Sequence, residues 1–200
     1  MENTISTTLG YYNENSEQFI GDTLNIEFSD IQDDFLKYLK PGSMILDFGC
    51  GSGRDSLYFL QNGYSVEAID GSEEMVRIAS INTGLSVKHM LFRELDEEEK
   101  YDGIFACASI LHVPYNELND IMIRMRKAVK NHGYVYVSFK YGEYEGYRSG
   151  RYFTDMTEEK FRKLLDEVPG LTIVEESVTS DARPGRSNEK WLNELLQKKL

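Results

Sequence analysis

Asp47-Phe48-Gly49-Cys50-Gly51-Ser52-Gly53-Arg54-Asp55 decides the reading of this chain. It continues the apolar run Met44-Ile45-Leu46, a buried strand that ends in a Gly-rich turn and feeds a helix running to about Asn62-Gly63. Glycines at alternate positions let the backbone turn sharply and approach a ligand closely. The helix that follows presents its unpaired N–H groups at the same spot. Asp70 lies 17 residues beyond Gly53, at the end of the next strand-like run, Ser65 to Ile69. A carboxylate there accepts hydrogen bonds from both hydroxyls of a ribose. Together the loop and Asp70 point to a nucleoside ligand at the first strand-to-helix turn. A dinucleotide fingerprint places a glycine at its sixth position. Counted from Gly49 that position is Arg54, and counted from Gly51 it is Ser56. Asp47, just before the turn, would also be awkward beside a pyrophosphate. A phosphate-free ligand with a cationic amino group fits better.

Working outward, strands and helices alternate. Before the loop, Phe28, Ile31, Phe35, Leu36 and Leu39 share one helical face, started near Ser29 or Asp30 and stopped by Pro41-Gly42. After it, Ser72 caps a helix with Glu73 and Glu74 in its first turn. Val87 to Phe92 reads as a weaker strand and Tyr101 to Ala108 as a buried one. Leu118, Ile121, Met122, Met125 and Val129 mark an amphipathic helix ended by Asn131-His132-Gly133, and Tyr134 to Tyr141 is β-rich. A helix through Phe161, Leu164, Leu165 and Val168 starts at Asp155 or Thr157, and Leu171 to Val178 is a strand. This alternation predicts an α/β fold, a doubly wound parallel sheet whose ligands sit beyond the carboxyl ends of the strands.

The chain has 200 residues, one domain's worth, with 40% apolar and 28% charged residues. Lys and Arg number 22 and Asp and Glu 34, a net charge of −12, which argues against generic binding to nucleic acid. The longest nearly apolar stretch, Gly103 to Leu111, is too short to span a bilayer. No secretion signal opens the chain, and Cys50 and Cys107 make no disulfide framework, so a cytoplasmic protein with reduced thiols is expected. His89, His112 and His132 are scattered and show no metal-ligand spacing. The composition does not set an oligomeric state.

Asp-x-Gly-x-Gly-x-Gly at 47–53, Asp70, Tyr101-Asp102-Gly103-Ile104-Phe105 and Ser109-Ile110-Leu111-His112-Val113-Pro114 together resemble the class I S-adenosylmethionine-dependent methyltransferases. The likeness is to the small-molecule branch, including tellurite-resistance-type enzymes, and covers Lys40 to Tyr141, roughly half the chain. It implies a Rossmann-like sheet of seven strands, the last antiparallel, under N-terminal helices. It divides a single domain, 1–200, into lid helices at 1–40, a cofactor core at 41–141, and acceptor-side loops and last strands at 142–200. It also implies that Asp47 holds the cofactor's amino group and that Gly49, Gly51 and Gly53 wrap the methionine and ribose. Asp70 would take the ribose hydroxyls, Gly71 would sit beside adenine, and Ala108 would face the cofactor. Arg54 would pair with the methionine carboxylate. Relatives often carry an Asp after strand three for the adenine amino group; here the stretch is Leu91-Phe92-Arg93-Glu94-Leu95, and Phe92 is expected against adenine instead. Tyr11 and Tyr12 fall where relatives have a lid helix. An aromatic face there would attract a sulfonium, or the pair simply packs the helix down.

Methyl transfer from a sulfonium is an in-line displacement in which protein groups chiefly position the reactants. Where the acceptor carries a proton, a base helps, and His112 is the candidate; the alternative is a histidine that only hydrogen-bonds its loop. Two segments emerge on the cofactor side, 142–152 with Arg148 and Arg151 and 181–187 with Arg183 and Arg186. These are four of the chain's ten arginines. Arginine forks bind carboxylate and phosphate, so a small anionic acceptor is expected, with Tyr144, Tyr147 or Tyr152 lining its pocket. Salt bridges to Glu143 and Glu145 are the competing use of these arginines. The competing function is a non-catalytic S-adenosylmethionine- or nucleoside-binding sensor or scaffold module, which would lack an enclosed acceptor pocket. The tail, Trp191 to Leu200, has helix-forming composition but is placed as the reversed last strand by the resemblance.

Overall fold

A computed structural model describes residues 2–23 and 26–199; Met1, Leu24, Asn25 and Leu200, at the edges of the expected lid and tail, lie outside it. The apolar run of the decisive stretch forms β1 (Met44–Phe48), almost wholly buried and paired in parallel with β2 (Ser65–Asp70) on one side and β4 (Tyr101–Ala106) on the other. A strand flanked on both edges and covered on both faces has no solvated side, which is why it reads as a continuous apolar run. Seven strands make one sheet in the order β3-β2-β1-β4-β5-β9-β8, with β3 at Lys88–His89, β5 at Val129–Lys140, β8 at Leu171–Ser180 and β9 at Lys190–Lys198. Only β9 runs against its neighbours, inserted between β5 and β8. The seven-stranded Rossmann-like sheet with a reversed last strand is therefore as expected.

Helices cover both faces. Ser72 Oγ accepts from Met75 N at 3.2 Å to start α5 (Glu73–Thr83), which ends at Gly84 with φ +74°. Thr157 caps α7 (Glu158–Asp166) in the same way. One face of the sheet packs Phe48, Ile104, Val137, Phe139 and Leu196 against Met122 and Met125 of α6 (Tyr115–Ala128) and Phe161 of α7. The other carries an aromatic cluster under α3 (Ser29–Leu36) and α4 (Arg54–Gln61): Phe35, Phe59, Phe105 and Tyr136, the last two stacked at 4.6 Å. Each such side chain contributes about 1.5–3 kcal/mol by leaving water. α1 (Glu2–Glu14) and α2 (Ser16–Thr23) precede these layers. No helix among the described residues is long and apolar enough to cross a membrane.

Several expectations are corrected. The strand expected over Val87 to Phe92 pairs only at Lys88 and His89; Phe92 begins a 3-10 turn in which Glu94 accepts from the Leu91 N–H. The strand expected to reach Ala108 stops at Ala106. The helix expected to end at 131–133 ends at Ala128: Val129 already pairs with Tyr101, and a register shift before Gly103–Tyr134 accommodates His132 at φ +64°. The segment 142–152, read as a loop, folds into a hairpin of β6 (Glu145–Arg148) and β7 (Arg151–Thr154). Ser149 and Gly150, both at positive φ, form its two-residue turn. In the tail, Asn193-Glu194-Leu195-Leu196 is buried between two strands, so tertiary pairing overrides helix propensity.

Candidate active site

A cavity of about 850 Å³ runs along the carboxyl ends of β2, β1, β4, β5 and β8, roofed by Ile5, Thr8, Leu9 and Tyr12 of α1. Of the expected cofactor residues, Gly49, Gly51, Arg54, Asp70, Gly71, Phe92 and Ala108 border it. The loop is held tightly. Gly49 sits at φ +85°, and a Cβ there would lie 2.6 Å from Ser109 Cβ and 3.0 Å from the Phe92 ring. Asp70 accepts the Gly51 N–H at 2.9 Å and the Ser72 N–H at 2.8 Å, one on each oxygen, leaving outward lone pairs for a ligand. Burial nonetheless raises its pKa above the usual range. Gly71 faces an apolar slot, where a Cβ would meet Leu9 Cδ2 at 3.0 Å and Leu91 Cδ2 at 3.2 Å. Ala108 holds a left-handed φ of +50°, and its N–H donates to Ser138 Oγ at 2.8 Å. Such strain in a non-glycine residue is characteristic of sites.

The other expected cofactor residues sit differently. Asp47 does not border the cavity: it is buried beneath the loop, where Ser56 Oγ donates to it at 2.6 Å. Burial, followed by the neighbouring Asp55 carboxylate, pushes its pKa up to about 8. Asp55 is held by Arg54 through two hydrogen bonds, at 2.9 and 3.0 Å, and by Gln32 at 2.6 Å. With Asp47 protonated, this Asp47–Asp55–Arg54 group is neutral. Gly53 packs away from the cavity against Thr83 and Ala79. Tyr11 also turns away, its ring against Gly150 and under the Arg151 guanidinium at 4.6 Å, and Tyr12 takes the place at the cavity.

His112 borders the cavity but is not a free base. Its Nδ1 lies 2.6 Å from the Tyr152 carbonyl oxygen and its Nε2 2.8 Å from the Tyr12 hydroxyl. A carbonyl only accepts, so Nδ1 carries the hydrogen and Nε2 accepts from Tyr12. Burial, with Arg151 and Arg148 nearby, lowers its pKa to about 4. Tyr144, Tyr147 and Tyr152 do not line the cavity. The Tyr144 hydroxyl donates to the Tyr147 carbonyl at 2.8 Å, Tyr147 is exposed against Tyr152, and the Tyr152 hydroxyl donates to Glu145 at 2.9 Å. All four loop arginines border the cavity, but three have carboxylate partners: Arg148 with Asp155, Arg183 with Asp181, and Arg186 with Glu189 at 3.7 Å. Burial would raise the Asp181 pKa, but the Arg183 hydrogen bonds hold it well below the usual carboxylate range. Arg151 has no carboxylate partner among the described residues. Its guanidinium lies between the rings of Tyr11, Tyr12 and Phe153, and its buried Nε–H finds no acceptor among the described residues.

The far end of the cavity contains residues the sequence did not single out. Lys140 bonds to Asp181 and Glu189 beneath the Trp191 ring, and Trp191 Nε1 donates to Asp181 at 3.0 Å. Asn13 of α1 accepts from Ser72 Oγ at 2.7 Å, tying the roof to the start of α5.

Residues 45–133 match the family described as Methyltransferase domain. An uncharacterized methyltransferase of Staphylococcus carnosus is 25% identical over 134 residues, which span 63% of this chain and 65% of that protein, just under two thirds of its length. The solved 1,6-didemethyltoxoflavin-N1-methyltransferase of Burkholderia thailandensis, with S-adenosylhomocysteine bound, superposes with a TM-score of 0.77 at 20% identity, covering 98% of this chain and 87% of that one. Magnesium protoporphyrin IX methyltransferase of Synechocystis, also with S-adenosylhomocysteine, gives 0.75 at 19% identity over 98% and 99% of the two chains. The chain has the class I fold of these S-adenosylmethionine-dependent methyltransferases, and its residues 45–133, somewhat under half of it, match the methyltransferase-domain family.

The residues present fit that cofactor. Asp70 would have lone pairs for a ribose, the Leu9–Leu91–Phe92 slot beside Gly71 would take adenine, and Arg54, held by Asp55, would face a carboxylate. The neutral Asp47–Asp55–Arg54 group would gain from an added cation such as the amino group.

Proposed function

We propose that this protein transfers a methyl group from S-adenosylmethionine to a small anionic molecule, in the manner of the small-molecule, tellurite-resistance-type branch. The observation that carries the acceptor's charge is Arg151, a cavity cation whose buried Nε–H has no acceptor among the described residues. A guanidinium held among aromatic rings with one long hydrogen bond to Tyr12 and no carboxylate partner among the described residues gains from a ligand anion. The bound cofactor supplies an activated methyl group. The chain supplies position: Asp70 orients the ribose, the Gly49–Gly53 backbone fixes the methionine arm, and α1 closes over both. His112 acts through Tyr12, holding its hydroxyl and the roof against β7. The neighbours named above act on a heteroaromatic and a porphyrin, by their names, which supports a small-molecule acceptor. The cavity extends well past the cofactor loop to Trp191, which favours an enzyme over a binding module.

Calorimetric titration with S-adenosylhomocysteine and with NAD, in wild type and Asp70→Ala, tests the cofactor. Binding of the first, lost in the variant, is expected; binding of NAD alone refutes the reading. A methyl-transfer screen over small acids, amines and neutral compounds tests the acceptor. Activity confined to neutral or cationic compounds, or KM for acids unchanged in Arg151→Gln, removes the anion.

A further inference from the structure

We propose that the acceptor's attacking atom is itself an ionised carboxylate oxygen, placed by Arg151, so that the product is a methyl ester and no protein base takes part. This rests on the anionic-acceptor reading of the cavity. The first ground is geometric. The groups around Arg151 that are candidates to take a proton are already committed: both nitrogens of His112 are engaged, by Tyr152 of β7 and Tyr12 of α1. His112 also packs edge-on against Phe153 of β7 at 4.8 Å and faces two cations, Arg148 and Arg151, which oppose a further positive charge on it. The Tyr12 hydroxyl donates to His112 and sits 3.4 Å from Arg151 Nη1.

The rest of the cavity adds little basicity. Asp155 is tied to Arg148, and Asp181 to Arg183, Lys140 and Trp191. Burial raises the Cys107 thiol to about 12, leaving no thiolate at neutral pH. Glu189 is tied to Lys140 and Arg186, and Glu117 of α6 carries the same charge as the acceptor.

The second ground is charge balance. With Nη1 near Tyr12 and Nε enclosed, Arg151 has its Nη2 group left for one carboxylate oxygen. A lone pair on the other oxygen forms the bond to the methyl carbon. The carbon–sulfur bond breaks with its electron pair going to sulfur. A carboxylate and a sulfonium become a neutral ester and a neutral thioether, and no proton moves. A site whose candidate bases are already engaged, with Arg151 lacking a carboxylate partner among the described residues, suits that reaction and does not suit an alcohol or an ammonium acceptor.

The test loads the full chain with S-adenosylhomocysteine and titrates it calorimetrically with benzoate, phenylacetate and indole-3-acetate, each beside its carboxamide, in wild type and Arg151→Gln. At least one acid is expected to bind about tenfold tighter than its amide, with the preference lost in the variant. Equal affinities, or a preference that survives in Arg151→Gln, overturn both the inference and the anionic reading beneath it. Wild type is then given the preferred acid with methyl-labelled cofactor. Label released as volatile methanol by alkali, at a kcat flat from pH 6 to 8, is the expected result. Alkali-stable label, or a kcat rising through that range, overturns the carboxylate inference while leaving the anion at Arg151 in place.

Discussion

Cofactor binding should expel a proton from Asp47. In the free protein its pKa of about 8 leaves the carboxyl about nine-tenths protonated at pH 7. An ammonium brought next to Asp47, Asp55 and Arg54 converts a neutral group into one that favours ionised Asp47, because an opposite charge within a few ångströms lowers a carboxyl pKa by about 1–3 units or more in a buried site. Binding at pH 7 then releases up to about 0.9 proton, falling to about half at pH 8 as the free carboxyl ionises by itself. Titrating S-adenosylhomocysteine calorimetrically in phosphate, HEPES and Tris, whose ionisation enthalpies differ, gives the proton number as the slope of observed enthalpy against buffer enthalpy. Asp47→Asn, which keeps the shape and has nothing to release, should flatten that slope. A wild-type slope of zero at pH 7, or the same slope in both proteins, would refute the reasoning. Measurements stay at or below pH 7.5, where the ligand's own amino group remains mostly charged.

Four further outcomes follow from the geometry. Asp70→Ala removes a carboxylate that fixes two backbone N–H groups and borders the cavity, and should weaken cofactor affinity by about 30- to 100-fold by calorimetry. Gly49→Ala forces a Cβ to 2.6 Å from Ser109 Cβ at φ +85° and should cost about 1–3 kcal/mol, read as a Tm drop of several degrees. His112→Asn breaks the link to Tyr12 and should loosen α1, seen as faster amide exchange over residues 2–14, with little change in global Tm. Glu194 is fully buried, neither of its carboxylate oxygens meets a donor among the described residues, and burial, then Glu176, raises its pKa to about 9. The folded chain therefore keeps a proton that the unfolded chain releases from about pH 4.5 upward, and stability falls as pH rises toward 9. Glu194→Gln should raise Tm by about 4 °C or more at pH 8 and by little at pH 5; an equal gain at both pH values would count against this assignment.

The parts of the fold that were legible are those with local causes. The Gly49–Gly53 turn, the Ser72 cap and the apolar run at 44–48 each encode their structure within a few residues. The β6–β7 hairpin was not legible, because Tyr147, Arg148, Arg151 and Tyr152 do not alternate apolar with polar; only Phe153 and Thr154 of β7 enter the core, and the rest packs on α1 and the cavity. The extension of β5 back to Val129 depends on a pairing with Tyr101 that no local pattern announces. At the site, the residue types were readable but their partners were not. Three of the four loop arginines are matched by acids two to seven residues away in sequence, Asp181, Asp155 and Glu189, and only three-dimensional distances show that Arg151 is different. Likewise, the engagement of both His112 nitrogens comes from Tyr12 and Tyr152, 100 residues before it and 40 after it.

The position of β9 sets an order of assembly. Strands β3, β2, β1, β4 and β5 pair among themselves from residues already made by Lys140. β8 has no neighbour in the sheet except β9, which also forms the outer edge of β5. During synthesis, Leu171–Ser180 therefore emerges before the strand that anchors it and waits for Lys190–Lys198. The cofactor end of the cavity can form while its far wall, with Trp191 and Asn193, is still missing. A chain lacking Lys190–Lys198 would keep the Gly-rich loop but lose both the partner of β8 and the Trp191 wall of the cavity.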